Sequence, residues 1–282
     1  MTQLASHPAT GTVARGGVRP RWMLPVTSVI AALVLVTSLF GLLTAWPYAA
    51  ETANWQLQAH GQDLGNLIAV AALLGGGLTA ARGSLRGLLV WAGALLYLAY
   101  AFSIYALAVH FGALFLPYVA VLGLSVHAFG FGLRWWDDGV RVRPRPLAAG
   151  TAVLAGIAVV FSLLWLASIV PALLAGTVPS ELVEAGLVAN PVHVLDLALV
   201  LPGMLITAVL ARRGSAAAQV LVGPWLVFAA LMAASILITL VLGGAAVPAV
   251  VVGALTVVAA ATGWVVVRSA IPERVALRGV LS

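Results

Sequence analysis

The sequence contains no cysteine and no lysine, and only 8% of its 282 residues are charged. Without cysteine there is no disulfide, no thiolate-held zinc or iron–sulfur centre, and no thiol nucleophile. Without lysine there is no Schiff-base chemistry, retinal attachment included, and no P-loop lysine. Soluble domains carry about 25% charged residues. With 63% hydrophobic residues and a mean hydropathy of +1.12, this chain reads as neither a soluble globular protein nor a disordered one.

What charge there is lies on one side of zero. Fourteen arginines face eight acids, for a net charge of +6. In a soluble protein such a balance would suggest a nucleic-acid partner. Here the arginines are scattered between long apolar runs, which excludes nucleic acid and makes them topology determinants.

A bilayer-spanning helix needs about 20 apolar residues. Eight stretches qualify, at about 23–45, 64–81, 87–109, 113–133, 148–174, 192–211, 218–242 and 247–267. The arginines fall before span 1 (Arg15, Arg19, Arg21), in the 2–3 connector (Arg82, Arg86) and in the 4–5 connector (Arg134, Arg141, Arg143, Arg145). The rest lie in the 6–7 connector (Arg212, Arg213) and after span 8 (Arg268, Arg274, Arg278). All are on one side, which the positive-inside rule makes cytoplasmic. The expectation is an all-α, polytopic helix bundle in a bacterial inner membrane, with both termini cytoplasmic and the lipid bilayer as its partner. It divides into a tail (1–22), spans 1–4 (23–134), a basic loop (135–147), spans 5–8 (148–268) and a second tail (269–282).

Span 1 follows a basic segment, yet its apolar run exceeds a signal peptide's usual 7–15 residues, so it reads as a retained signal-anchor. Trp22, Trp135 and Trp136 mark the inner boundary, and Trp46, Tyr48 and Trp55 the outer headgroup level. Two outer connectors are long. Trp46 to Gln62 holds Glu51, Asn54, His60 and a turn signal at Gly61. Gly176 to Asn190 holds a short surface helix over Pro179–Glu184, stopped near Gly186.

The two four-span halves share a layout. A shift of 131 residues places Arg82-Gly83-Ser84 on Arg213-Gly214-Ser215, Gly112 on Gly243 and Pro117 on Pro248. Four spans per unit implies a 4+4 parallel repeat about an axis along the membrane normal. The polar and aromatic residues of spans 3 and 4 have mostly apolar counterparts in spans 7 and 8, so any chemistry is asymmetric.

An ionisable group inside a membrane helix costs roughly 2.5–3.5 kcal/mol and needs a reason. In Asn190-Pro191-Val192-His193-Val194-Leu195-Asp196, His193 and Asp196 share a helix face and suit proton transfer or metal binding. Asn190 as N-cap and Pro191 at the first helical position explain part of the motif structurally. Asp63 reads as the N-cap of span 2, or with Asn66 as part of one outward-facing pocket that includes His193 and Asp196. His110 is either wetted at the headgroups or a further member of that pocket. Tyr97, Tyr100, Tyr105 and Tyr118 either line a polar path or pack. His127 reads as a hydrogen-bonded core residue; it and His110 lie in opposite leaflets, too far apart to share a haem iron.

Gly61-Gln62-Asp63-Leu64, His110 to Ala120 and Asn190 to Asp196 resemble segments of multi-spanning membrane proteins of high-GC bacteria. The resemblance covers spans 2–4 and 6 and implies no activity and no cofactor. His-Glu-x-x-His and His-x-x-x-His are absent, which excludes the usual intramembrane zinc proteases and ceramidase-type hydrolases. Three functions stay open. The first is a transporter or solute-binding permease, with Asp63, Asn66, Tyr105, His110, His193 and Asp196 taking substrate or protons. The second is an accessory or assembly protein whose polar groups are caps and glue. The third is a metal-dependent membrane enzyme with His110, His193 and Asp196 as ligands. Gly75-Gly76-Gly77 and Pro202-Gly203 are the best candidates for broken transport helices.

Overall fold

A computed structural model describes residues 21–134 and 140–272. Eight of its helices are long and apolar enough to cross a membrane. They comprise α1 (Met23–Leu43), α2 (Ala53–Ala81), α3 (Leu85–Ala108), α4 (Phe115–Arg134) and α5 (Pro144–Ala175), then the span Pro191–Arg212, α9 (Ala216–Leu242) and α10 (Ala246–Ser269). A short helix α6 (Ser180–Ala185) lies between α5 and the sixth span. That span is composite: α7 (Pro191–Leu195), a π turn (Asp196–Val200) and α8 (Leu201–Arg212). Trp135, Trp136, Arg15, Arg19, Arg274 and Arg278 lie outside the described residues.

Helix starts follow side-chain capping. Thr52, Ser84 and Ser215 accept from the backbone N–H three residues on, opening α2, α3 and α9. Asn190 accepts from Val192 N and His193 N with Pro191 at the first helical position, as expected. Gly186, at φ +70, stops α6 where the sequence placed the stop.

α3 is the most enclosed helix, packed on α2, α4 and α9. In the first half α1 packs on α2 and α4, and α2 and α4 flank α3. In the second half α5 packs on α8 and α10, and these flank α9. The halves meet where α9 packs on α3 and α2. The Arg-Gly-Ser turns agree closely. Gly83 and Gly214 have φ 91 and 90, and the Ser84 and Ser215 amides donate back to Thr79 O and Leu210 O at 3.0 Å each.

The arginine-bearing end is tied together by polar contacts. A short strand β1 (Val140–Val142) in the basic loop pairs antiparallel with β2 (Ala270–Pro272) in the segment after span 8, an element that hydropathy does not indicate. Gln219 Oε1 accepts from Val142 N at 2.9 Å, and Arg212 Nε donates to Thr151 Oγ1 at 2.7 Å.

Three expectations are corrected. The outer connector from Trp46 to Gln62 is a 3₁₀ turn (Trp46–Tyr48) followed, from Ala53, by helix. Gly61 is therefore no turn: a Cβ there would meet Thr239 of α9, so glycine is what lets α2 and α9 touch. His127 is exposed rather than core, its ring Nδ1 paired 2.7 Å from Gly123 O of its own helix. Gly75-Gly76-Gly77 does not break α2; a Cβ at Gly76 would lie 2.6 Å from Trp91 N, so it is a contact residue for α3.

Candidate functional site

Asp63 stands ten residues into α2, about 15 Å below its outer tip at 1.5 Å per residue. It is not an N-cap, because α2 starts two to three turns earlier than its apolar run. The carboxyl is 1% exposed and is gripped from both sides. Tyr48 donates to Oδ2 at 2.8 Å and Tyr105 donates to Oδ1 at 2.8 Å. Tyr48 comes from the 3₁₀ turn after α1, and Tyr105 from the last turn of α3. Burial, then the Asp63 carboxyl, push the Tyr48 phenol well above its ordinary range, so it remains a donor. A side chain on Gly41 of α1 would collide with Asp63 Oδ2 and lie 2.7 Å from Tyr48 OH. The site exists because that residue is glycine.

The tyrosines form a stack. Tyr48 and Tyr105 rings lie 6.4 Å apart at 19°, and Tyr105 and Tyr118 lie 5.0 Å apart at 24°. Tyr118 is 4% exposed, and its buried hydroxyl has no hydrogen-bond partner among the described residues. Such a group carries a desolvation cost of about 1–3 kcal/mol until something meets it.

A second layer runs deeper. Asn66, fully buried, donates to Ser38 Oγ of α1 at 3.1 Å. Gln62 Nε2 donates to Asn66 Oδ1 at 3.2 Å and to Tyr97 OH at 2.6 Å, and Ser235 of α9 donates to Gln62 Oε1 at 3.2 Å. Gly65 makes room: a Cβ there would lie 2.6 Å from Ser235 Oγ and 2.7 Å from Tyr97 OH. Four helices, α1, α2, α3 and α9, therefore share one polar network.

At the end of the bundle away from the described arginines, His110 donates its backbone N–H to Glu51 Oε1 at 2.7 Å, with its ring Nδ1 2.9 Å from the same oxygen. The Glu51 side chain is 2% exposed, and that of His110 63%. His110 borders a cavity of about 140 Å³ whose wall also includes Trp46, Phe111, Phe115 and Tyr118. The cavity thus lies on the outer side of the tyrosine stack.

His193 and Asp196 belong elsewhere. Asp196 accepts from Trp165 Nε1 of α5 at 2.8 Å, and the Tyr100 hydroxyl faces the same carboxyl. The His193 ring lies on Trp165, with centroids 4.5 Å apart. Asp196 opens the π turn, where Leu201 N–H reaches back to Asp196 O and Pro202 follows with no N–H to give. Nearby, Glu181 accepts from Ser168, which holds its carboxyl below the usual range.

The expected single pocket is therefore two clusters on different faces of α3. Asp63, Asn66 and Tyr105 come together, with His110 at their outer edge; His193 and Asp196 pair with Trp165 instead. His110, His193 and Asp196 do not converge, and among the described residues no three His, Cys, Asp or Glu side chains are placed to hold a metal ion. The sequence reading missed Gln62, Ser38 and Ser235, and treated Tyr48 and Trp55 as headgroup anchors. Both are buried, Trp55 donating its Nε1–H to Ala108 O at 2.9 Å. The readable signal was Gly61-x-x-x-Gly65 beside Gln62 and Asn66, a small-residue contact face flanked by amides at helical spacing.

Fold and site together define a class: an all-α bundle of membrane-spanning type carrying a buried, tyrosine-held carboxyl. No protein-family model, curated protein or solved structure matches the chain.

Proposed function

We propose that this chain is a multi-pass permease-type protein of a bacterial inner membrane, both termini cytoplasmic, whose Asp63 carboxyl is a proton-binding group reached from outside. The one-sided arginines support the orientation. The matched turns and the like packing of the two halves support a 4+4 parallel repeat. The observation that carries the function is Asp63 itself. It is a carboxyl at 1% exposure, bonded to two phenols and to no cation among the described residues. Intramembrane carboxyls of this kind mark ion and proton pathways. The test is infrared difference spectroscopy of the reconstituted protein between acidic and alkaline buffer. A reversible carboxyl band that vanishes in Asp63→Asn and persists in Asp196→Asn is the expected result. A spectrum unchanged by Asp63→Asn would sink the reading.

One observation favours a second reading, an accessory protein held together by polar glue. Most buried polar side chains already bridge helices, as Trp91 Nε1–H does to Thr27 Oγ1 at 2.8 Å and Trp225 Nε1–H to Thr207 Oγ1 at 3.1 Å. On that reading Asp63→Asn lowers stability and leaves the infrared spectrum and any transport phenotype unaltered.

A further inference from the structure

The 140 Å³ cavity above the tyrosine stack joins four aromatic side chains, Trp46, Phe111, Phe115 and Tyr118, and the His110 imidazole with small and aliphatic residues of the two adjoining connectors. Two carboxyls stand behind the walls. Glu51 sits behind His110, and Asp63 is bonded by Tyr105, whose ring stacks on Tyr118. The described arginines are all at the opposite ends of the helices. We infer that this cavity binds an ammonium group, resting on the reading that the polar site opens outward.

Each alternative ligand fits less well. An anion would face two carboxyls with no arginine to receive it. A hard metal cation seeks several oxygen ligands, and the side chains lining this cavity offer one, the Tyr118 hydroxyl. An apolar guest would leave the buried Tyr118 hydroxyl unpaired. An ammonium group draws on ring faces, which attract weakly hydrated cations, and on the field of both acids. The volume is below the roughly 300–1,000 Å³ of drug-sized sites, so it suits an amine headgroup rather than a whole large ligand. That group comes either from a free amine or from an aminophospholipid of the outer leaflet.

The experiment uses the full chain in nanodiscs of phosphatidylglycerol alone and in nanodiscs containing phosphatidylethanolamine. Methylammonium, whose N–H groups can donate to the Tyr118 hydroxyl, is titrated and followed by saturation-transfer NMR, with acetate as the anionic control. Saturable binding in phosphatidylglycerol discs, weakened roughly tenfold by Trp46→Leu and by Phe111→Ala, is the expected result. Both positions are exposed at the rim, so the folded bundle tolerates the changes. Weaker apparent binding in phosphatidylethanolamine discs identifies the lipid headgroup as the source; equal binding in both identifies a free amine. No saturable signal, a signal shared by acetate, or one unaffected by both substitutions overturns the inference. Ammonium binding without an Asp63 infrared band would defeat the proton reading alone; the band without ammonium binding would defeat this inference alone.

Discussion

Replacing Tyr105 by Phe removes one hydroxyl and nothing else of consequence. The ring keeps its stack on Tyr118 at 5.0 Å, while the 2.8 Å bond to Asp63 Oδ1 and the longer 3.3 Å approach to Ala59 O are lost. The cost then reports the charge on the acceptor. A neutral hydrogen bond between membrane helices contributes about 0.6 kcal/mol, with a ceiling near 1.7. A bond to an ionised group contributes about 1.5–3 kcal/mol. If Asp63 exchanges a proton, the cost of Tyr105→Phe is roughly 1.5–3 kcal/mol in alkaline buffer and falls to about 0.6 in acid. That difference of about 1–2 kcal/mol is a five- to thirtyfold change in the unfolding constant. The assay is reversible unfolding in mixed micelles across pH, with Tyr48→Phe as the second arm of a double-mutant cycle on the other carboxylate oxygen. Coupling of about 0.5–3 kcal/mol between the two is expected for groups sharing one acceptor. A cost near 0.6 kcal/mol at every pH would refute a titrating carboxyl and leave Asp63 as a permanently neutral strut.

Gly65→Ala should destabilise by about 1–3 kcal/mol through overpacking against Ser235 and Tyr97. Gly75→Ala in the same helix meets nothing within 4 Å and should be neutral or mildly stabilising in the same unfolding assay. The depressed Glu181 carboxyl contributes stability above its unfolded pKa of about 4.3, and that stability is lost as pH falls through the lower folded value. Hydrogen exchange of α6 should therefore rise only in strong acid, and Ser168→Ala should flatten that dependence; an unchanged profile would show that the Ser168 contact contributes nothing. Because the chain has no cysteine, Glu184→Cys and Arg213→Cys are each single thiols, both at exposed positions. A membrane-impermeant maleimide on intact cells should label the first and not the second; the reverse pattern would invert the proposed topology.

Most of the architecture was legible because the bilayer imposes a length and an apolar composition on every span. The caps at Ser84, Ser215 and Asn190 follow from short polar side chains placed just before apolar runs. The start of α2 was hidden for a physical reason. Its first three turns carry Asn54, Gln56, Gln58, His60 and Gln62, so hydropathy ends near residue 64 although the helix begins at Ala53. The grouping of site residues was hidden for another. Tyr97 and Tyr100 are three apart, yet one reaches Gln62 of α2 and the other faces Asp196. A helix fully enclosed by neighbours serves different partners at adjacent positions, and spacing alone does not say which. Glu51 and His110, 59 positions apart, are joined only by tertiary structure.

The proposed repeat sharpens what the Asp63 network means. A shift of 131 carries Asp63 to Val194, Asn66 to Leu197, Tyr97 to Phe228 and Tyr105 to Ile236. The second half nevertheless makes the same Arg-Gly-Ser turn and packs its helices in the same order. Of these four counterparts only Phe228 is buried; Val194 and Ile236 are exposed and Leu197 is half-buried, so the second half encloses no equivalent of the Asp63 site. A buried carboxyl is costly in a bilayer, and here Tyr48 and Tyr105 each bond one of its oxygens. On the proposed repeat the enclosed polar cluster belongs to one half alone, in keeping with the proposed proton-binding role of Asp63.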